Sequence, residues 1–446
     1  MKTKIVNKVK FFAEDKDNLT LWMNNLLVLY AFLLPISQTI KATIFTFMIL
    51  LFIIRGDIVK YIKESLSNSV VRAFLYFFLI YLIGMLWTED VVTGLYDTKS
   101  IKYGLYLIIF YSVVDGRYIN KVITAFILGM LVSEFTSYGM LFGIMPWSLD
   151  IGAIHFYTAP SPIDPSPFLN HIHYGVALSF VVILLAQQIY LSKKDLWMKV
   201  LMSIFVLSAS ANIFVTGGRT GYISFILLIL TLAIFYLKRW AIVAILFLFL
   251  VLGIAYETSP VVQLKVKQTQ SSLMKLFSEN PNFNTSIGTR AGLYYFGYEA
   301  AKNDIFLGVG TGDSMNEIYK VTPAEWIHIH SQPHEHNQFL STFVKLGIIG
   351  LLVFLNIYYQ IFRYKQEDRE LRFIMVFSTL AIAFGILTTQ FNLRFFMPLW
   401  VVMLAVTLIS KERRTINLEL DDKKVLLQIV AIGVLFSFAS LFNQLL

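Results

Sequence analysis

The stretch HEHNQFLSTFVKLGIIGLLVFL, residues 334–355, changes from polar to apolar within a few residues. The apolar run continues to about residue 362, which exceeds the roughly 20 residues that a helix needs to cross about 30 Å of hydrocarbon. A polar turn at the end of such a helix lies at the boundary between membrane and water. The stretch therefore predicts a membrane-spanning helix that begins at a chemically capable turn.

Apolar runs of this kind recur along the chain. Of its 446 residues 57% are hydrophobic and 15% aromatic, which is more apolar surface than one soluble core can hide. The candidate spans are 19–36, 39–54, 70–88, 100–114, 119–144, 170–190, 196–215, 219–237, 240–256, 337–362, 372–389, 395–410 and 425–443. We predict an all-α polytopic membrane protein with about 12–13 transmembrane helices and a large, partly helical periplasmic loop.

The placement of basic residues predicts the orientation of these helices. The N-terminal MKTKIVNKVK precedes an apolar segment without a cleavage pattern, which indicates a retained signal-anchor and a cytoplasmic start. With that start, 25 of the 37 Lys and Arg residues fall in cytoplasmic segments. The net charge of +9 is then an orientation signal, and nucleic acid is not an expected partner. We expect a multi-pass protein of the bacterial inner membrane whose site faces the periplasm.

The chain divides into three parts on this interpretation. We predict an N-terminal bundle of about nine transmembrane helices at 1–256, a periplasmic loop domain at 257–336 and C-terminal transmembrane helices at 337–446. The loop domain is predicted to contain an amphipathic helix at the membrane surface over 260–277, a second helix over 289–302 and a tight glycine-rich turn over 308–313.

All seven histidines fall on the predicted outer side: His155, His171, His173, His328, His330, His334 and His336. Imidazole is the side chain most easily poised as a base near neutral pH, so this asymmetry indicates proton transfer there. The last four also form H-x-H-x-x-x-H-x-H, which is similar to a metal-ligand pattern. Residues i and i+2 point apart on a helix, however, and Pro333 makes the segment irregular. We predict neither a metal nor another cofactor, and chelation would test that prediction.

His336 and Asn337 stand where the loop enters the apolar helix. The positive end of a helix disfavours the imidazolium, so it lowers the pKa of a nearby histidine and keeps the ring able to accept a proton. His336 is the predicted catalytic residue, supported by His334, Glu335 and Asn337. Because Pro333 leaves the local backbone undefined, the sequence does not decide between His334 and His336 as the base.

Two arginines complete the candidate site. Arg219, in TGGRTGY, begins another spanning helix on the same side, where backbone N–H groups and a guanidinium suit phosphate. Arg290, in SIGTRAGLYYFGYEAA, lies in the first turn of the second loop helix, where a cation opposes the helix dipole. A structural role is therefore the weaker explanation for Arg290. A base, two arginines and a membrane-surface helix suit transfer from a lipid-linked pyrophosphate to a hydroxyl.

The chain resembles the O-antigen ligase and polymerase superfamily of bacterial cell envelopes. The resemblance rests on Arg219 in TGGRTGYISF, on Arg290 in SIGTRAGLYYFGYEAAKNDIFLGVG and on His336 with Asn337 in HEHNQFLSTFVKLGIIG. The general layout is similar over most of the chain, and the motifs cover about residues 200–350. Lys345 is a departure, because the family pattern often has an acidic residue there.

The resemblance implies a metal-independent, inverting glycosyl transfer from an undecaprenyl-pyrophosphate-linked glycan. His336 would deprotonate the acceptor hydroxyl, and Arg219 and Arg290 would bind the pyrophosphate. A ligase would use a lipid A core sugar as acceptor, whereas a polymerase would use another lipid-linked repeat unit, and we favour the ligase. A transporter of lipid-linked glycans is the alternative from a different class, but it predicts ionisable residues in the middle of the membrane.

Overall fold

The computed structural model describes residues 16–156, 160–191, 195–238, 241–391 and 395–409. Its first helices are α1 Lys16–Leu33, α2 Gln38–Arg55, α3 Ile58–Ser67, α4 Ser69–Gly84, α5 Val91–Ile101, α6 Tyr106–Val113 and α7 Ile119–Leu141. A short hairpin follows, with β1 Asp150–Ile151 antiparallel to β2 Ile154–His155. The next helices are α8 His171–Leu191, α9 Leu196–Val215, α10 Arg219–Leu232 and α11 Ala241–Thr258.

The loop between α11 and the closing helices has its own short helices. These are α12 Pro260–Leu276, α13 Ser286–Ala301, α14 Ser314–Val321 and α15 Ile327–His330. The closing helices are α16 Gln338–Arg363, α17 Arg369–Ile386 and α18 Phe396–Thr407. The two loop helices predicted at 260–277 and 289–302 are confirmed, although α13 begins at Ser286 because Thr285 caps it. Arg290 consequently lies one turn further into the helix than predicted.

The all-α polytopic fold class is confirmed. Within the described ranges, eight helices are long and apolar enough to cross a membrane. Their exposure matches this reading, since only 6% of the α11 span is buried although it is strongly apolar. The number of 12–13 spans stays a prediction, and the candidate at 425–443 lies outside the described residues. The candidate at 100–114 is not one α-helix, because residues Lys102–Leu105 are 3₁₀ where Gly104 lies against Phe74.

The centre of the bundle is α18, all of whose residues are buried. It packs against α17 and α6, and α17 in turn packs against α8 and α10. A helix that is apolar on every side can occupy such a fully enclosed position, because it has no polar face that needs water. The loop helices α13, α14 and α15 surround a small second core of Leu293, Phe296, Ile318 and Ile329. This core rests on α16 through α13, which brings the loop helices over the start of α16.

Helix α16 is broken at Gly347, whose backbone has φ 63° and ψ −163°. The glycine-rich turn docks against this break, since the N–H groups of Val309 and Gly310 donate to Val344 O and Lys345 O over 2.9 and 3.0 Å. A Cβ on Gly347 would lie 2.3 Å from the backbone of Phe306. The turn predicted at 308–313 is therefore a structural element that satisfies the carbonyls freed by the break.

Candidate active site

The polar turn reaches α16 through a strained residue. His336 has φ 55°, a left-handed conformation that costs a non-glycine residue about 1–3 kcal/mol. Asn337 follows in an extended conformation as the N-cap of α16, and its Oδ1 accepts hydrogen bonds from the N–H groups of Phe339 and Leu340 over 2.8 and 3.1 Å. The predicted position of His336 immediately before the helix is confirmed.

The Nδ2 end of the Asn337 carboxamide contacts two other elements. Its Nδ2 donates to Tyr294 Oη on α13 over 2.7 Å and to Leu387 O, after α17, over 3.2 Å. Both groups of one buried amide are thus satisfied, one by the helix start and one by the neighbouring elements. These hydrogen bonds fix where the turn meets the bundle.

The tautomer of His336 follows from its neighbour Gln332. The Nε2 of His336 lies 2.7 Å from Gln332 Oε1, and Gln332 Nε2 donates to His328 O over 2.8 Å. Because that carbonyl can only accept, the amide orientation is determined, and His336 Nε2 must carry the proton. The lone pair of His336 then resides on Nδ1, which is buried and has no hydrogen-bond partner.

The ring lone pair of His334, unlike that of His336, already accepts a hydrogen bond. Its Nδ1 accepts the backbone N–H of His336 over 3.2 Å, and the two rings are 4.2 Å apart. The lone pair of neutral His334 is therefore already used, and its Nε2 carries the proton. Of the two histidines that the sequence left undecided, His336 has the nitrogen that is able to accept a proton.

Burial, followed by the nearby His334 and Arg290, lowers the pKa of His336 to about 4. The ring is consequently neutral at pH 7, as the sequence predicted. Burial also lowers the pKa of His334. Two neutral imidazoles side by side avoid the repulsion that two imidazolium ions would suffer at this separation.

Arg219 begins α10 after two glycines. Gly217 has φ 62°, and a Cβ there would lie 2.8 Å from Ile163 O, so only glycine fits this approach. Gly218 is the N-cap and provides no side-chain acceptor for the first N–H groups of the helix. The Nη1 of Arg219 is buried without a partner. A pocket of about 530 Å³ adjoins it, and Lys267 contributes a second cation to the wall.

Arg290 connects Arg219 to His336. Burial is the main cause that lowers the pKa of Arg290, and the positive charge of Arg219 lowers it further. The charge of Arg290 likewise lowers the pKa of His336. Neither arginine forms an ion pair with an acidic side chain of the described residues. Two half-buried cations held together without a carboxylate provide a site for a polyanion. The structure thus brings the three predicted residues into one region.

Glu335 belongs to a buried charge network. Lys345 Nζ lies 2.5 Å from Asp97 Oδ2 and 3.9 Å from Glu335 Oε1. Gln390 donates to Glu335 Oε2. Burial alone would raise the pKa of Glu335, but the Lys345 ammonium and the influence of the Ser314 side chain hold it below its ordinary value. The cation that departs from the family pattern is therefore paired by acids from two other segments.

This network lines a cavity of about 460 Å³. Its wall contains Asp90, Asp97, His334, Glu335 and Lys345. Sequence reasoning missed Asp97, whose signal was a carboxylate beside an apolar segment. It also missed Gln332, because an uncharged amide in a loop has no distinguishing pattern.

Three further histidines make ring contacts of other kinds. His171 contacts Asp164 over 3.1 Å, His173 packs on Phe396, and His330 Nε2 lies 3.3 Å from Pro323 O. In the part of the chain that the structure describes, no group of three or more His, Asp or Glu side chains is arranged to hold a metal ion. The H-x-H-x-x-x-H-x-H spacing is thus divided between α15 and the turn before α16.

Residues 203–355 match the model of the family described as O-antigen ligase. The match confirms the resemblance to the O-antigen ligase superfamily. The matched region runs from α9 into α16 and contains Arg219, Arg290 and His336. Asp97 and Gln390, which complete the cavity, lie outside it. Among curated proteins, none matches the chain. The family supports a glycan-transfer role, of ligase or polymerase type, for a multi-pass membrane protein.

Proposed function

We propose that the protein transfers a glycan from undecaprenyl pyrophosphate to a sugar hydroxyl of the lipid A core, at the periplasmic face of the bacterial inner membrane. The observation that carries this proposal is the buried Nδ1 of His336, which receives no hydrogen bond, together with the electrostatic influence of Arg290 on His336 and of Arg219 on Arg290. A base and a polyanion site in one region are the two requirements of glycosyl transfer from a pyrophosphate.

In the proposed step, His336 Nδ1 removes the proton of the acceptor hydroxyl while its oxygen attacks the anomeric carbon. The bond between that carbon and the pyrophosphate oxygen breaks, and its electron pair remains on the pyrophosphate. Attack opposite the leaving group inverts the anomeric configuration. His336 leaves the step as an imidazolium, which gives its proton to solvent or to the released pyrophosphate.

Arg219 and Arg290 provide the charge that the leaving group requires. Negative charge grows on the bridging oxygen as the bond breaks, and a guanidinium already aimed there stabilises the transition state more than the ground state. The uncapped N-terminus of α10 adds backbone N–H groups beside Arg219. Lys267, in the wall of the same pocket, gives a further cation for the second phosphate.

Ligase and polymerase reactions differ only in the acceptor, so a cellular product distinguishes them. A strain that lacks the protein is expected to have unsubstituted lipid A core, with long glycan chains still on undecaprenyl pyrophosphate. Core that bears a single repeat unit would instead identify a polymerase. Electrophoresis of lipopolysaccharide and mass spectrometry of the lipid-linked pool measure both outcomes.

Catalysis is tested separately with purified protein in lipid nanodiscs, a lipid-linked donor and a core acceptor. His336→Ala is expected to abolish transfer, since no other nitrogen in the turn is available as the base. Full transfer by this variant would overturn the catalytic role and favour transport of the lipid-linked glycan.

A further inference from the structure

The cavity of about 460 Å³ is lined by His334 and Glu335, and its lining contains neither Arg219 nor Arg290. His334 is in its wall, and the His334 ring is 4.2 Å from that of His336. The cavity therefore ends within one side chain of the proposed base. It is large enough for one or two sugar rings, and its contents would lie next to His334, beside the proposed base.

The charge of this cavity is negative. Asp97 and Lys345 form a close pair that is neutral as a unit, which leaves the carboxylates of Asp90 and Glu335. Hydrogen bonds from Thr93 lower the pKa of Asp90, so it is ionised at neutral pH. The adjoining surface pocket has Glu89, Asp313 and Glu317 in its wall, against the single Lys320. We call this region, defined by Asp90, Asp97, Glu335 and Lys345, the acidic cavity.

One acceptor atom in the acidic cavity lacks a donor. Glu335 is 2% exposed, and Gln390 occupies its Oε2, but its Oε1 has no hydrogen-bond partner. Lys345 Nζ is 3.9 Å away, beyond hydrogen-bond distance. A buried carboxylate oxygen without a donor is costly, and a ligand hydroxyl is the group that would satisfy it. This orphan oxygen is a second indication, besides the cavity itself, that a hydrogen-bond donor enters.

The rest of the wall suits a sugar. Tyr96 and Tyr319 provide flat aromatic faces, and Thr93, Ser100 and Asn316 provide hydroxyl and amide groups. Aromatic faces pack against the apolar faces of sugar rings, while ionised carboxylates accept hydrogen bonds from hydroxyl groups. A phosphate or carboxylate on the ligand would instead meet Asp90 and Glu335, which repel it in a partly enclosed site.

We propose that the acidic cavity binds the acceptor sugar that presents the attacking hydroxyl, and that it selects an uncharged or amino-bearing sugar over a phosphorylated or carboxylated one. This rests on the proposed function, because the hydroxyl must reach His336. The two sides of the turn then divide the work by charge. The arginine side takes the anionic donor, and the carboxylate side rejects anions and takes the acceptor.

The test uses the His336→Ala full-length protein in nanodiscs, so that binding is measured without transfer. Three matched synthetic glycosides serve as probes, which differ only in a hydroxyl, an amine or a phosphate at one position. We expect the phosphorylated probe to bind on the order of tenfold or more weakly than the other two, as measured by calorimetry. Equal or tighter binding of the phosphorylated probe would overturn the proposal.

Asp90→Asn is the informative variant because asparagine preserves the N-cap that Asp90 gives α5. In the His336→Ala protein it should reduce the discrimination against phosphate several-fold and leave binding of the hydroxyl probe nearly unchanged. Glu299→Gln, on the exposed side of α13, is the matched control and should change neither. Unchanged discrimination in Asp90→Asn would contradict the proposal. The proposal would also be contradicted if the hydroxyl probe bound only after calcium or magnesium was added, because the carboxylates would then bind a cation.

The proposed function is tested by glycan transfer, which is a separate measurement from probe binding. Transfer by otherwise wild-type protein is lost in His336→Ala if the proposed function holds, whatever sugar the acidic cavity prefers. Charge selection in binding together with retained transfer would refute the proposed function. Lost transfer together with no charge selection would refute only the acidic cavity.

Discussion

Gln332 Oε1 accepts the Nε2 proton of His336 over 2.7 Å, and this contact determines which nitrogen of the ring carries the lone pair. The orientation of the amide is in turn determined by the hydrogen bond from Gln332 Nε2 to His328 O. A residue that holds the base in one tautomer controls catalysis without touching the substrate. The proposed mechanism therefore depends on an uncharged side chain four residues before the base.

Replacement of Gln332 should move the pH dependence of transfer. Gln332→Glu places a carboxylate beside Nε2, which favours the imidazolium and raises the pKa of His336. The acid limb of kcat/KM against pH should then shift upward by about 1–2 units. Gln263→Glu, an exposed change on α12, is the control and should leave the profile in place. An identical profile for Gln332→Glu would refute the positioning role.

The unmodified enzyme should tolerate mildly acidic conditions. A histidine with its ordinary pKa of 6.5 loses half of its basic form at that pH, but burial and the neighbouring positive charge lower the pKa of His336 to about 4. Its neutral form thus persists as the pH falls through 6.5, and transfer should decline only as the pH approaches 4. Initial rates between pH 8 and pH 4.5 in nanodiscs measure this. A midpoint near 6.5 would show that the base is a solvated histidine.

The arginines should be required for the chemical step. Arg219→Lys and Arg290→Lys retain a charge but lose the planar fork that binds phosphate oxygens, so we expect kcat to fall on the order of 100-fold. The double variant should lose less than the product of the single losses, because the two act on one group. Arg363→Lys, at the far end of α16, is the matched control. If these variants changed only KM, the arginines would bind the donor without stabilising the transition state.

Asn337 should matter for stability as much as for activity. Asn337→Ala removes the N-cap of α16 and the hydrogen bonds from Asn337 Nδ2 to Tyr294 and Leu387, which together should cost about 2–3 kcal/mol of unfolding free energy. Ser259→Ala, at the cap of α12, should cost about 1 kcal/mol and retain transfer. Thermal unfolding in detergent and transfer assays of both variants make the comparison. If Asn337→Ala and Ser259→Ala lost the same stability and the same transfer activity, Asn337 would be no more than an ordinary helix cap.

The buried pair at the break of α16 should be the most sensitive to loss of one partner. Lys345→Met leaves Asp97 and Glu335 without their cation and should destabilise the fold by about 3–5 kcal/mol. Lys345→Met combined with Asp97→Asn should recover part of that loss. Lys320→Met, which breaks the exposed pair with Glu317, should leave the stability almost unchanged because water screens that pair. A Lys345→Met protein as stable as the parent would mean that the network is solvated.

Local patterns in the sequence predicted the features that depend on near neighbours. The apolar runs predicted the helical bundle, because membrane-spanning segments need about 20 apolar residues wherever they occur. The start of α16 at Asn337 and the turn at 308–313 also follow from local chemistry, namely a capping amide and residues that accept a positive φ. Arg219, Arg290 and His336 were recognisable because each is a charged or titratable group at the end of a helix or close to it.

Only the tertiary structure distinguishes the ring environments of His334 and His336, because they depend on which lone pair a neighbouring N–H or amide contacts. It also decided what Lys345 does, since the partner Asp97 is 248 residues away along the chain and no local pattern joins them. Helix periodicity indicates which face a side chain occupies, but not which side chains from other segments meet it there. Pairing, tautomer and the charge of a cavity are properties of that meeting, and they decide the chemistry proposed for this protein.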